Sequence, residues 1–155
     1  MEIKRAIFAG TFDPFTKGHL MIIKKALKSF KEITVLIAIN EKKKPTYSLN
    51  SRIKFIKLST SGLKGIKVDY TDSLVVEYAK KHHINYLIRG VRNNKDKIYE
   101  TKMSKVNKRL APKIKTVLIK ANESYQDISS SKVRSLKKKG GDLSPYVSSN
   151  IVKYL

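Results

Sequence analysis

The residues best suited to chemistry form one decapeptide near the start of the chain, Gly10-Thr11-Phe12-Asp13-Pro14-Phe15-Thr16-Lys17-Gly18-His19. Gly10 lets the backbone approach a ligand closely, and Asp13-Pro14 favours a rigid turn. Gly18 and His19 open a predicted helix, whose free N–H groups favour phosphate. The sequence contains neither a G-x-x-x-x-G-K-[ST] nor a G-x-G-x-x-G motif, so the decapeptide predicts a phosphate site of another kind. A lone G-x-H would more simply be a turn whose histidine caps or packs.

Three further groups of side chains could also bind phosphate. Arg89 and Arg92 flank a glycine at the end of a predicted strand, and the guanidinium fork matches phosphate geometry. Three consecutive serines, residues 129–131, open another predicted helix and would supply either a nest of donors or an ordinary cap. Lys43 lies in a lysine triplet and, taken alone, would more often be solvated. Glu100, taken alone, would be a solvated carboxylate or a helical partner for Ser104.

The elements that must position these side chains alternate between strand and helix. Apolar, β-branched runs predict strands at residues 3–9, 33–39, 66–70, 85–88 and 114–119. Helical periodicity and capping signals predict helices at 18–30, 50–58, about 73–81 (capped by Asp72 or Ser73), 96–110, 129–138 and 144–154. This order predicts an α/β single domain over residues 1–155, with helices around a five-stranded parallel sheet. Ligands of such sheets bind beyond the carboxyl ends of the strands, where all of these groups are expected.

Composition narrows the class of protein. The chain has 155 residues, is 41% hydrophobic and contains no cysteine, which excludes disulfides, thiolate zinc sites and cysteine nucleophiles. Its longest apolar run, residues 33–39, is far shorter than the roughly 20 residues of a membrane-spanning helix. The first residues lead into a strand without the apolar core of a signal peptide. We therefore expect a soluble, cytoplasmic protein without a membrane partner.

The net charge of +22 comes from lysine rather than arginine. The chain has 34 basic and 12 acidic residues, yet only six of the basic residues are arginine. A dedicated nucleic-acid interface would use more arginine, because its fork contacts phosphates and guanine edges. We therefore expect a solvated, lysine-biased surface that attracts small anionic substrates, without a specific nucleic-acid partner.

The decapeptide resembles the T/H-x-G-H signature of the nucleotidylyltransferase superfamily. More narrowly, it resembles the G-T-F-D-P-x-T-x-G-H of bacterial phosphopantetheine adenylyltransferases. Three later segments are similar to motifs of the same family and occur in the same order: Lys43-Lys44-Pro45 with Tyr47-Ser48-Leu49 and Arg52; Ile88-Arg89-Gly90-Val91-Arg92 with Tyr99-Glu100; and Ile128-Ser129-Ser130-Ser131-Lys132-Val133-Arg134. The resemblance covers about residues 5–150.

The resemblance implies a Rossmann-like sheet and a reaction. ATP would transfer its adenylyl group to 4′-phosphopantetheine by direct in-line displacement, giving 3′-dephospho-coenzyme A and pyrophosphate. Mg²⁺ would neutralise the triphosphate, without protein side chains that we can assign as metal ligands. The family also implies a homohexamer.

The resemblance assigns roles to individual residues. The catalytic residues would be His19, Lys43 and Arg92. The ATP-binding residues would be Thr11, Phe12, Gly18, His19, Arg92, Tyr99, Glu100, Ile128, Ser129, Ser130 and Ser131. The residues that bind 4′-phosphopantetheine would be Thr11, Lys43, Leu74, Val75, Arg89 and Asn107.

Two other functions remain open at this point. A sister nucleotidylyltransferase would share the ATP motifs but use another phosphate acceptor, such as nicotinate mononucleotide. A non-catalytic basic module would bind RNA or DNA with strong salt dependence, but it would leave His19, Arg92 and the serines without a role.

Overall fold

A five-stranded parallel sheet forms the centre of the computed structural model, which describes residues 4–155. The strands and α-helices alternate as β1 (Arg5–Gly10), α1 (Lys17–Ala26), β2 (Glu32–Ala38), α2 (Leu49–Ser59), β3 (Ile66–Thr71), α3 (Val75–Lys81), β4 (Tyr86–Val91), α4 (Asn94–Leu110), β5 (Lys115–Lys120) and α5 (Ser130–Lys138). Two short 3₁₀ helices follow β5 and end the chain, Glu123–Tyr125 and Val152–Tyr154. The predicted α/β fold with a five-stranded parallel sheet is therefore confirmed. Ile3, the first residue of the first predicted strand, lies outside the described residues.

The strand order is β3-β2-β1-β4-β5, so the direction of winding reverses between β1 and β4. Successive residues of β1 belong to different cores: Ala6 and Phe8 pack with α1 and α2, whereas Ile7 and Ala9 pack with α3. Because neighbouring side chains of a strand point to opposite faces, helices cover both faces of the sheet. The reversal places the expected ligand crevice at the carboxyl ends of β1 and β4.

A third, smaller core holds the end of the chain against the elements that carry the predicted site. Tyr47 lies just before α2, and Phe55 lies within it. Both pack with Val133 of α5 and with Val147 and Ile151. The backbone N–H of Lys17, at the start of α1, donates to the carbonyl of Tyr146 (2.8 Å). The C-terminal segment thus supports the first turns of both helices that open toward the site.

The predicted final helix at residues 144–154 is wrong. The segment consists of turns followed by the 3₁₀ helix Val152–Tyr154. Ser148, Ser149 and Asn150 interrupt it, and such side chains compete with helical hydrogen bonds. Asn150 Nδ2 instead donates to the carbonyl of Leu58 (2.7 Å), so a tertiary contact replaces a helical turn.

Two helix starts also differ from the predictions. The N-cap of α3 is Leu74, without a capping side chain, because Ser73 instead pairs with the Thr71 hydroxyl (2.9 Å). The helix α4 begins two residues early, since Asn93 caps it by accepting from the Asp96 N–H (2.9 Å). Ser48 caps α2, since its hydroxyl accepts from the Ser51 N–H (3.1 Å). Among residues 4–155, no helix is both long and apolar enough to cross a membrane.

Gly65 is the glycine whose replacement should disturb the sheet most. Its φ is +79°, and a Cβ at this position would collide with the Lys31 carbonyl oxygen next to β2. We expect Gly65→Ala to lower the free energy of unfolding by more than about 2 kcal/mol, measured by urea denaturation.

Two other glycines separate the causes of that loss. Gly140 has a positive φ in open space, so Gly140→Ala should cost about 1 kcal/mol. Gly62 has neither a positive φ nor a close neighbour, so Gly62→Ala should change stability by less than about 0.5 kcal/mol. Equal losses at Gly65 and Gly140 would contradict the steric part of the prediction.

Candidate active site

A cavity of about 310 Å³ opens at the carboxyl ends of β1 and β4. Most of the residues predicted to bind ATP line it, together with one residue predicted to bind the acceptor. They are Thr11, Phe12, Gly18, His19, Arg89, Arg92, Glu100, Ile128, Ser129 and Ser130. The structure thus brings together residues that are up to 119 positions apart in the sequence (130 − 11).

The cavity exists because β1 and β4 separate before they end. On its other side β1 pairs with β2 as far as Gly10, but its pairing with β4 covers only Ile7 and Phe8. The carbonyl of Ala9 therefore lies beyond the ladder with β4, and Arg89 Nη1 donates to it instead (2.6 Å). A side chain thus takes an acceptor that a strand would otherwise use, which keeps the crevice open.

His19 is held as a neutral hydrogen-bond donor. It belongs to a capping box in which the Thr16 backbone N–H donates to His19 Nδ1 (3.0 Å) and the His19 N–H donates to the Thr16 hydroxyl (3.3 Å). Because Nδ1 accepts, the proton of the neutral ring is assigned to Nε2. No hydrogen bond to Nε2 is formed within residues 4–155, and the ring lines the cavity.

The surroundings of His19 disfavour its charged form. Its ring stacks on Phe15 (centroids 5.3 Å apart) and meets Phe12 edge-on (4.9 Å). Burial of the ring, followed by the positive charges of Arg89 and Arg92, lowers the pKa of His19 to about 3. His19 can therefore donate a proton in a hydrogen bond at neutral pH without being an imidazolium.

Phe12 has a positive φ of 50°, unusual for a bulky residue. Its buried ring folds back to where a side chain at Gly10 would lie, only 3.1 Å from the position of that missing Cβ. The position of the Phe12 ring therefore depends on Gly10, and the ring in turn contacts His19.

Arg89 and Glu100 form a two-pronged ion pair. Arg89 Nε and Nη2 donate to the two carboxylate oxygens of Glu100, each at 2.9 Å, and Glu100 is buried. The sequence offered Ser104 as a partner for Glu100, but the Ser104 hydroxyl donates to the Thr101 carbonyl. Glu100 therefore lines the cavity as the group that fixes the direction of Arg89.

Arg92 is anchored at one end and free at the other. Its backbone N–H and its Nε both donate to Asp96 Oδ2 (3.1 and 3.0 Å). Within residues 4–155 neither terminal nitrogen of Arg92 forms a hydrogen bond, and the residue lines the cavity. The fork is therefore oriented and still able to bind an anion.

The hydroxyls of the three serines are engaged with the protein. Ser129 caps α5 by accepting from the Lys132 N–H, Ser130 donates to the Pro14 carbonyl (2.7 Å), and Ser131 accepts from Arg134 Nη2 (3.2 Å). The groups that α5 offers to a ligand are thus the backbone N–H groups of its first turn, which have no partners within the helix.

Two further cavities adjoin the first one. One, of about 550 Å³, shares Thr11 and Ser130 with it and contains Lys43, Ser131 and Arg134. The other, of about 240 Å³, shares Arg89 and Glu100 with it. This cavity contains the remaining predicted acceptor residues, Leu74, Val75 and Asn107, and also Tyr99. Of the residues predicted to bind ATP, Tyr99 thus lies outside the first cavity and shares the third cavity only with Glu100.

Several lining residues were not predicted from the sequence. Ile22, Asp96, Ala121 and Tyr125 line the first cavity. Asp96 carried a signal, since acidic residues are favoured in the first turn of a helix. The other three are apolar or aromatic residues whose pattern equally fits an ordinary core.

The described residues do not provide a ready metal site. Among residues 4–155 no three His, Asp or Glu side chains are grouped so that they could hold a metal ion. The nearby carboxylates already have partners: Asp96 and Glu100 bind arginines, and Asp13 accepts two backbone N–H groups.

The protonation of His19 can be tested directly by NMR of the ¹⁵N-labelled imidazole. We expect Nε2 to remain protonated and Nδ1 unprotonated from pH 8 to pH 5, because the pKa of His19 is lowered to about 3. In urea the same ring should titrate near its ordinary pKa of about 6.5. A folded-state ring with both nitrogens protonated at pH 6 would contradict the assignment.

Comparison with known proteins agrees with this geometry. The cytidylyltransferase-like family model matches residues 7–136. The chain is 41% identical over 150 residues to a phosphopantetheine adenylyltransferase from Thermosynechococcus vestitus, covering 97% of this chain and 89% of that protein.

A solved structure from Vibrio parahaemolyticus, provisionally assigned as a nicotinate-nucleotide adenylyltransferase, is similar in fold. Its TM-score is 0.74 over 99% of this chain and 98% of that one, but only 15% of the residues are identical. The likeness shows the shared fold, whereas the sequence relationship is specific. This chain belongs to the phosphopantetheine adenylyltransferases, within the cytidylyltransferase-like nucleotidyltransferases.

Proposed function

We propose that this protein transfers the adenylyl group of ATP to 4′-phosphopantetheine, giving 3′-dephospho-coenzyme A and pyrophosphate. Family membership supports the reaction. The observation that carries the site assignment is the convergence on one cavity of two helix N-termini, the neutral His19 and the free fork of Arg92. Each supplies donors to phosphate oxygens, and together they suit a triphosphate.

The chemistry requires positioning more than covalent help from the protein. A phosphate oxygen of 4′-phosphopantetheine attacks the α-phosphorus of ATP, the bond from that phosphorus to the bridging oxygen breaks, and pyrophosphate leaves. The second pKa of a phosphate monoester is about 6, so the nucleophile is already ionised at neutral pH and needs no general base. The protein must align the two phosphates and stabilise charge on the transferring group.

His19 and Arg92 would act on the ATP side. The His19 Nε2–H would donate to an oxygen of the α-phosphate, where negative charge increases in the transition state. Arg92 would bind the β- and γ-phosphates. The backbone N–H groups of Gly18, Ser130 and Ser131 would assist it, because they form no hydrogen bonds within residues 4–155. Because the pKa of His19 is lowered to about 3, the ring is neutral near neutral pH, and its Nε2–H remains available as a donor.

Lys43, Thr11 and Arg89 would act on the acceptor side. Lys43 is exposed and lines the cavity of about 550 Å³, which shares Thr11 with the first cavity. Its ammonium could therefore reach the phosphates of both substrates. Arg89 lies where the first cavity meets the cavity of Leu74, Val75 and Asn107. That third cavity would receive the pantetheine arm. Leu74 and Val75 would contact its carbon chain, and the Asn107 amide would bind its polar groups.

Three further properties belong to the proposal. Mg²⁺ would be bound as part of the Mg–ATP substrate and would neutralise the triphosphate. A homohexamer would cover apolar side chains that the single chain exposes, including Ile98, Tyr99, Val106 and Leu110, which are 43–60% exposed. The protein would act in the cytoplasm, where its nucleotide substrate is abundant.

The reaction is tested by pyrophosphate release from Mg–ATP with 4′-phosphopantetheine, with nicotinate mononucleotide, and without acceptor. We expect release only with 4′-phosphopantetheine, because we assign the third cavity to its extended pantetheine arm. Release with nicotinate mononucleotide alone would assign the chain to a sister activity. No release from folded protein with either acceptor would contradict the enzymatic proposal and favour binding of RNA, tested by salt titration.

Two variants separate the proposed roles of His19 and Lys43. His19→Ala should lower kcat about 100- to 1000-fold, because it removes a donor aimed at the transition state. Lys43→Ala should reduce kcat and raise the KM for 4′-phosphopantetheine while leaving ATP affinity nearly unchanged. Steady-state kinetics, ATP titration and melting temperature check both variants. Near-normal turnover of His19→Ala, or an effect of Lys43→Ala confined to ATP, would overturn the respective assignment.

A further inference from the structure

We propose that Asp13 and Arg52 are positioning residues that fix Lys43 against the turn after β1. The inference rests on the proposed role of Lys43. Lys43 lies in the lysine loop, residues 39–47, which joins β2 to α2. Neither Asp13 nor Arg52 is among the residues assigned above to ATP or the acceptor, yet both are buried, at 5% and 4% exposure.

Both carboxylate oxygens of Asp13 accept hydrogen bonds from the end of the lysine loop, and Oδ2 also lies 3.9 Å from Arg134 Nη1. Its Oδ1 accepts from the backbone N–H of Tyr47 (2.9 Å) and its Oδ2 from that of Thr46 (2.8 Å). Asp13 itself lies in the turn that follows β1. One ionised side chain therefore ties two consecutive peptide groups of the loop to the phosphate-binding turn, by bonds stronger than those between neutral groups.

Arg52 makes the complementary connection from α2. Its Nε donates to the carbonyl of Tyr47 (3.1 Å) and its Nη1 to the carbonyl of Thr11 (3.0 Å). Burial lowers the pKa of Arg52, and the negative charge of Asp13 opposes that shift. Tyr47 is thus bound on both sides of its backbone, through its N–H to Asp13 and through its C=O to Arg52.

Without this connection, little in the described structure would determine where Lys43 lies. Residues 40–46 are exposed. Asn40 makes only local bonds there, in which its side-chain oxygen accepts from the Lys42 N–H and its carbonyl accepts from the Lys43 N–H. The loop leaves β2 at one end, and the bonds to Asp13 and Arg52 fix its other end three residues after Lys43. Displacement of a catalytic cation by about 1 Å can cost about 100-fold in rate. Bonds that fix the loop three residues after Lys43 should therefore affect the rate of the reaction.

The distribution of arginine supports the inference. Four of the six arginines line either the first cavity or the cavity that contains Lys43: Arg52, Arg89, Arg92 and Arg134. Arg134 Nη1 donates to the Asp13 carbonyl (2.7 Å), so the turn is held from α5 as well. In a chain that otherwise uses lysine for its surface charge, arginine occurs where several hydrogen bonds must be directed at once.

The test is a double-mutant cycle between the anchor and Lys43. Asp13→Asn alone should lower kcat/KM for 4′-phosphopantetheine about 30- to 100-fold, because it weakens both bonds to the loop. In the Lys43→Ala background the same change should cost less than about 3-fold, because the group to be positioned is gone. Arg52→Lys, which keeps the charge but loses the fork, should behave in the same way.

Asp142→Asn is the matched control, because Asp142 also accepts two hydrogen bonds, both from Ser144, but is exposed and outside the three cavities. It should leave turnover unchanged. Amide hydrogen exchange gives a readout independent of activity: Asp13→Asn should speed exchange at Thr46 and Tyr47 at least 10-fold, without a comparable change in β1 or β2.

The outcomes distinguish the two proposals. If Lys43→Ala leaves turnover unchanged, the proposed role of Lys43 fails, and the exchange data alone show whether the anchor holds the loop. If Lys43→Ala lowers turnover but Asp13→Asn costs the same factor in both backgrounds, Asp13 acts independently of Lys43 and the positioning inference is overturned. Unchanged exchange at Thr46 and Tyr47 would also overturn it. If Asp13→Asn does not fold, Arg52→Lys carries the cycle.

Discussion

The separation of β1 from β4 beyond Phe8 and Ile88 is the feature on which the site depends. It opens the sheet at the point where its winding reverses, and it frees the Ala9 carbonyl for Arg89. Arg89 in turn needs the buried carboxylate of Glu100, which comes from α4 on the opposite side of the sheet from α1. A local interruption of strand pairing thus connects both layers of helices to one crevice.

The charged groups around the crevice are arranged in a consistent way. Each of three acidic side chains there holds a donor in place: the buried Glu100 holds Arg89, the half-buried Asp96 holds Arg92, and the buried Asp13 holds the lysine loop. The cations are oriented by part of their hydrogen-bonding capacity, while the rest remains available to phosphate. Such preorganisation is what a reaction without covalent catalysis requires, because the donors need not be rearranged as charge develops. The lysine-rich surface outside adds long-range attraction for anionic substrates.

Sequence reasoning succeeded for the elements and for the residues that follow strands. Alternating periodicities predicted the five strands and the parallel sheet, and the carboxyl-end rule brought His19, Arg89 and the serines to one place. It failed at residues 144–154, where Ser148, Ser149 and Asn150 break a helical spacing. It also missed the partners of Glu100 and Asp13 and the bond from the Ser130 hydroxyl to the Pro14 carbonyl. Those bonds join different elements of the fold, and no local pattern distinguishes them from solvated side chains or ordinary caps.

The turn after β1 also has a consequence for how the enzyme comes into being during synthesis. The carboxylate of Asp13 finds its partners 33 and 34 residues later, and its carbonyl finds Arg134 only 121 residues later. Ribosomes release the chain from its N-terminus, so the signature turn is among the first segments to emerge and among the last to acquire all its contacts. A nascent or truncated chain that ends before α5 would contain the signature motif and most of the sheet, yet it would lack a complete phosphate site. Activity is therefore a property of the nearly finished polypeptide.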